Sequence, residues 1–103
     1  MPLFQATKEV FEWIKAGKKT IDVRKAKPFL GEKAVFQCGN RYARPRILKR
    51  VTGTLNQIIT IDNYKQIVPS AKSVGEARQY LINIYHTSEG DFTAYYLENK
   101  MKH

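Results

Sequence analysis

With 103 residues, 43% of them hydrophobic and 12% aromatic, the chain can build one core, and a single domain over residues 1–103 is expected. A domain of this size is stable without disulfides or a structural metal, and its single cysteine, Cys38, excludes an internal disulfide. Eighteen basic residues against nine acidic ones give a formal charge of +9, while no stretch approaches the roughly 20 apolar residues that cross a bilayer.

The lone cysteine and the start Met1-Pro2-Leu3-Phe4-Gln5, which has no basic region followed by an apolar run, imply a soluble, cytoplasmic protein with no membrane partner. The charge is unevenly spread. Between Lys15 and Arg50 twelve basic residues face only Asp22 and Glu32, a local +10, so the rest of the chain sums to −1. Gly17, Pro28, Gly31, Gly39 and Pro45 break this third of the chain into short pieces. That rules against an amphipathic membrane helix and favours a polyanion held by phosphate contacts.

In chain order, Leu3–Ala6 reads as a short strand. Thr7 is the N-cap of a helix carrying Val10, Trp13 and Ile14 on one face, and Gly17 ends that helix. From Lys19 to Arg24 the pattern alternates, with Thr20, Asp22 and Arg24 on one side and Lys19, Ile21 and Val23 on the other, as in a strand. Further strands are expected within Gly31–Gly39 and from Arg46 to Thr54, separated by a loop over Asn40–Pro45.

A short helix over 62–68, capped by Asp62 and stopped by Pro69, precedes a longer one opened by the capping box Ser73-Val74-Gly75-Glu76. Ala77, Tyr80, Leu81, Ile84 and Tyr85 repeat along one face of that second helix, where Tyr85 is expected in the core. The turn Ser88–Asp91 leads to a strand over Phe92–Leu97 and a polar tail, Asn99–His103. Strands in the majority, with helices inserted early and late, give an α+β class.

Few chemistries fit. His86 and His103 are far apart, and Cys38 has no ligand partner at zinc spacing, so neither a metal nor a cofactor is expected. No phosphate-binding Gly-rich loop is present. Cys38 reads as a small buried hydrophobe. Asp22, between cations, is held ionised and can anchor Arg24. Tyr42 between Arg41 and Arg44 is the interleaving of ring and charge that single-stranded nucleic acid needs, although a loop tyrosine folded onto the core fits equally.

The segment Gly17-Lys18-Lys19-Thr20-Ile21-Asp22-Val23-Arg24 resembles the Gly-x-Lys-x-x-Glu-x-Arg signature of ASCH domains, with Gly17, Lys19 and Arg24 in place and Asp22 for the glutamate. The resemblance extends to a strand after a Gly-Asp-like turn, here Gly31-Glu32, and to a late helix before the final strand. It implies a PUA-like small β-barrel with peripheral helices, and RNA binding in a cleft lined by the signature strand.

One branch of that family, the acetylcytidine amidohydrolases, is similar in this segment and has a helix ending in Ile-Tyr, here Ile84-Tyr85. Lys19 matches their lysine, but Asp22 stands where their threonine would be and Ser70 where their glutamate would be. Ribonuclease activity, proposed for some ASCH proteins, would use Lys19 to stabilise a developing phosphorane charge.

The sequence thus reads as a binder of RNA, or of a nucleotide-like ligand, through Lys18, Lys19, Asp22, Arg24, Arg41, Tyr42, Arg44, Arg46, Lys49 and Arg50. The alternatives are a hydrolase of a modified nucleoside or RNA centred on Lys19 and Asp22, and a module that docks an acidic protein.

Overall fold

Thr7 Oγ1 accepts from the Val10 amide at 3.3 Å and caps helix α1 (Lys8–Lys15). In the computed structural model, which describes residues 3–26 and 28–98, Gly17 ends this helix at φ 77°. The Gly17 amide donates to Ile14 O at 3.1 Å and the Lys18 amide to Trp13 O at 2.9 Å. These are the paired bonds of a Schellman stop, which needs a residue free to adopt positive φ. The helix buries Phe11 and Ile14, with Val10 and Trp13 half-buried, so its inner face is turned toward Phe11 relative to the expected stripe. Lys27 and the expected tail Asn99–His103 lie outside the described residues.

The strands form two three-stranded sheets. In the first, β1 (Leu3–Gln5) runs parallel to β3 (Val35–Cys38), which pairs antiparallel with β4 (Arg41–Ala43). In the second, β6 (Phe92–Leu97) lies between β2 (Ile21–Arg24) and β5 (Ile47–Gly53), antiparallel to both. The expected loop at 40–45 is therefore largely a strand. Gly39, at φ 63°, and Asn40 make a two-residue hairpin turn that sets Cys38 opposite Arg41. An arginine at the start of so short a strand, and another just after its end, hide its alternation.

The class is α+β as expected, but the barrel is not closed. The sheets join where β4 runs into β5, through Ala34 N to Pro45 O at 3.0 Å, Ile47 N to Glu32 O at 2.7 Å and a Lys33–Arg46 bridge. At the opposite side β1 and β2 are each an outer strand, and no ladder among the described residues joins them. One core, around Phe4, Phe11, Phe36, Tyr95 and Leu97, fills the space between the sheets and α1. The other, around Ile21, Val23, Ile58, Leu81 and Phe92, packs the second sheet against three later helices. Cys38 is half-buried against the first core rather than enclosed in it.

Those helices are α2 (Leu55–Ile58), α3 (Tyr64–Ile67) and α4 (Val74–Tyr85). A complete capping box sits on α2, where Thr54 Oγ1 accepts from Gln57 N and Gln57 Oε1 accepts from Thr54 N. Sequence patterning alone predicts no helix over 55–58. At α4 the box is half-formed: Ser73 Oγ accepts from Glu76 N at 3.1 Å, but Glu76 Oε1 accepts from Lys72 N instead of returning to Ser73. Asp62 does not cap α3. Asn63 holds the N-cap position, and its amide side chain ties Thr60 N and Ile58 O. No helix among the described residues is long and apolar enough to cross a membrane.

Candidate functional site

The open seam between β1 and β2 is plugged by side chains. On β2, Ile21 and Val23 join the helix-covered core, so strand alternation turns Asp22 and Arg24 toward β1. Arg24 Nε donates to Asp22 Oδ2 at 2.5 Å and its Nη2 to Oδ1 at 3.4 Å, while Nη1 reaches across the seam to Gln5 O at 3.4 Å. The guanidinium also lies 4.4 Å from the Phe4 ring centroid, where a weakly hydrated planar cation is well accommodated. One arginine thus spans the gap that backbone hydrogen bonds leave open.

Lys19 completes the arrangement from an unexpected direction. Alternation assigned it to the side opposite Asp22, but β2 begins only at Ile21, and in the preceding turn no such constraint holds. Its side chain is buried, with Nζ donating to Ile21 O at 2.8 Å and Ile67 O at 2.5 Å and standing 3.9 Å from Asp22 Oδ1. Burial lowers the Lys19 pKa to about 8, opposed by the charge of Asp22 and reinforced by that of Arg24. Burial also works against Arg24, but the charge and hydrogen bonds of Asp22 outweigh it and hold the guanidinium above its ordinary pKa. Two cations around one carboxylate leave the seam at +1.

The seam opens into a cleft of about 160 Å³ whose floor carries Lys19, Asp22 and Arg24. Gln5 and Val10 border one side, and Tyr80, Ile84 and Tyr85 of α4 border the other. The Tyr85 hydroxyl donates to Val23 O at 3.2 Å, and burial raises its pKa. Tyr85 is therefore not simply core: its ring packs on Phe92 while its hydroxyl edge belongs to the cleft. Half-buried aromatics at the margin of an amphipathic stripe were the sequence signal for it.

The other candidate residues are dispersed. Lys18 and Arg46 are exposed. Arg41 pairs with Glu12 at 3.0 Å and covers the Phe11 ring at 4.6 Å. Arg50 donates to Phe29 O and Gly31 O, tying down that loop, and Lys49 lies over Tyr96 at 4.5 Å. Tyr42 and Arg44 sit together, with guanidinium carbon and ring centroid 5.2 Å apart, beside a second cavity bordered by the turn 17–20. Tyr42 is 44% exposed, so it does not fold onto the core.

No family model matches the sequence, and no curated protein is similar to it by sequence. Solved structures do match in shape. The ASCH protein from Zymomonas mobilis superposes with a TM-score of 0.63 at 17% identity, over 93% of this chain and 65% of that one. The chain has an ASCH-type fold. A point variant of the Zymomonas protein gives a TM-score of 0.66 at 16% identity, so the chain spans about two thirds of that ASCH protein's length. The hypothetical protein PH0355 matches more fully, with a TM-score of 0.74 at 17% identity over 93% of this chain and 95% of its own. In this ASCH-type fold the segment 17–24 runs from the end of α1 through a turn into β2, and its Lys19, Asp22 and Arg24 side chains fill the seam.

Proposed function

We propose that this domain binds RNA, or a nucleotide-like ligand, in the cleft at the β1–β2 seam. One observation carries the reading. The seam is the place where the backbone leaves a gap, and the gap is lined by a +1 cluster in which Asp22 holds Arg24. Neighbouring half-buried rings of Tyr80 and Tyr85 supply surfaces for a base. In this reading Lys19 and Asp22 are positioning residues. The Lys19 ammonium is taken up by two carbonyls and Asp22, and Asp22 by Arg24, so Arg24 and Tyr85 meet the ligand. The exposed cations Arg44, Arg46 and Lys49 add long-range attraction.

Titrating a labelled single-stranded RNA against salt tests this. Log affinity is expected to fall with log salt by about 0.7 per phosphate contact, and Arg24→Ala is expected to weaken binding at every salt concentration. Affinity that ignores salt, or equal affinity for RNA and for heparin, would refute the reading. Equal affinity would point instead to a docking site for an acidic protein.

A hydrolytic reading rests on one further observation, that Lys19 lines the cleft with its pKa drawn down to about 8, as at many catalytic sites. Incubation with acetylated cytidine or labelled RNA, followed by chromatography, distinguishes it. Turnover abolished in Lys19→Met supports hydrolysis, and an unchanged substrate excludes it.

A further inference from the structure

The turn of residues 17–20 borders two cavities, and only one of them is the seam cleft. The second is larger, about 270 Å³, and lies between the end of α1, β4 and the end of β6. Its floor is apolar, formed by Ile14, Ala43 and Leu97, all buried. Its rim is polar and charged, with Lys15 and Arg44 exposed and the Glu98 side chain at one edge.

Tyr42 makes one wall. Its ring is 44% exposed but not loose. The hydroxyl accepts from Gln37 Nε2 at 3.2 Å, and Gln37 Oε1 in turn accepts from Gln5 Nε2 at 3.1 Å. Two side-chain amides therefore fix a ring that the core does not cover. The Arg44 guanidinium lies over that ring, its carbon 5.2 Å from the ring centroid.

A half-exposed ring held in place, with a guanidinium over it and an apolar floor beneath, offers what an unstacked base requires: a stacking platform of ring and guanidinium, and positive charge for the attached phosphate. The cavity is smaller than the roughly 300–1,000 Å³ of sites for drug-sized ligands, a size suited to one heterocycle rather than a whole cofactor.

We infer that this cavity is a second base-binding subsite, in which Tyr42 stacks a base and Arg44 and Lys15 hold its phosphate. The ligand of the domain is then a strand of at least two nucleotides passing the turn 17–20, and not a free nucleoside. The inference rests on the RNA reading of the seam cleft and narrows it.

The experiment is a length series: labelled oligouridylates of one, two, four and eight nucleotides, titrated at fixed salt against wild type, Tyr42→Ala, Tyr42→Phe and Arg24→Ala. Wild-type affinity is expected to rise from the mononucleotide to the short oligomers. Tyr42→Ala should remove about tenfold of the oligomer affinity, as expected for a lost stacking contact. It should weaken the mononucleotide, which can use either subsite, far less than the oligomers, and Tyr42→Phe should retain most of the gain.

If Tyr42→Ala matches wild type at every length while Arg24→Ala weakens all of them, the seam cleft stands and the second subsite is refuted. If no oligomer binds, the RNA reading fails and takes this inference with it. Photocrosslinking of wild type with a 4-thiouridine oligomer makes the result independent of how the variants fold. Adducts on the peptide containing Tyr42 and Arg44 support the subsite, and adducts confined to β2 and α4 overturn it.

Discussion

The seam and the β4–β5 stretch are built from the same residue types and use them in opposite ways. At the seam, Lys19 is withdrawn from water, Arg24 is half-buried, and both are bonded to Asp22 and to backbone carbonyls. From Arg44 to Lys49 the cations stand in solvent, Arg44 over the Tyr42 ring and Lys49 over Tyr96. A buried charge gives shape and fails when its partner is removed. An exposed charge gives attraction at a distance, and its loss costs the fold little. The difference between structural and attracting cations is one of burial, which net charge alone does not reveal.

The sharpest way to break this contrast is Asp22→Ala. It leaves Lys19 and Arg24 buried without their carboxylate, and a loss of roughly 3–5 kcal/mol in unfolding free energy is expected from urea denaturation at neutral pH. A loss no larger than for a surface variant would mean the seam cations are as well solvated as those on β5. Next in size, Arg24→Ala is expected to lower RNA affinity by at least tenfold, the scale of one charge-assisted contact, in equilibrium titration.

The pH response comes third. Below about 8 both the folded and the unfolded chain hold the Lys19 proton, and the burial cost is present in full. Between about 8 and the ordinary 10.5 the folded chain has released a proton that the unfolded chain keeps, so stability rises with pH across that window. Relative to Lys19→Met, the wild type is expected to gain up to about 1 kcal/mol per pH unit there, read from urea midpoints. Parallel curves for the two proteins would show that Lys19 stays protonated.

The smallest effects belong to the exposed group. Arg46→Ala and Lys49→Ala should each stay within about 0.5 kcal/mol of wild-type stability. In RNA titrations each residue that touches phosphate should reduce the salt slope by about 0.7.

Where local rules acted alone, the sequence was readable. Thr7 and Gly17 bracket α1, Phe92–Leu97 is β6, and Asp22 does pair with Arg24. Reading failed where distant segments decide the outcome. Nothing near Lys19 in sequence indicates that Ile67 O, 48 residues away, receives its ammonium. The basic run from Arg41 to Arg50 looks like one patch, yet packing sends Arg41 to Glu12 and Arg50 to the Phe29–Gly31 loop. Helical periodicity places the Tyr85 ring, which packs against the core, but not the hydroxyl at its far end.

An incomplete barrel has a liability of its own, since every unpaired strand invites another chain to dock along it. Here the exposed flank of β2 is already occupied. The carbonyls of Ile21 and Val23, alternate positions that point the same way, accept from Lys19 and Tyr85, while the Thr20 amide just before the strand donates to Gln66 O at 3.1 Å. Arg24 takes Gln5 O at the end of the facing strand. The groups that shape the cleft therefore also cover the strand edge, so substitutions at Lys19 or Tyr85 would leave backbone groups of β2 open to another chain.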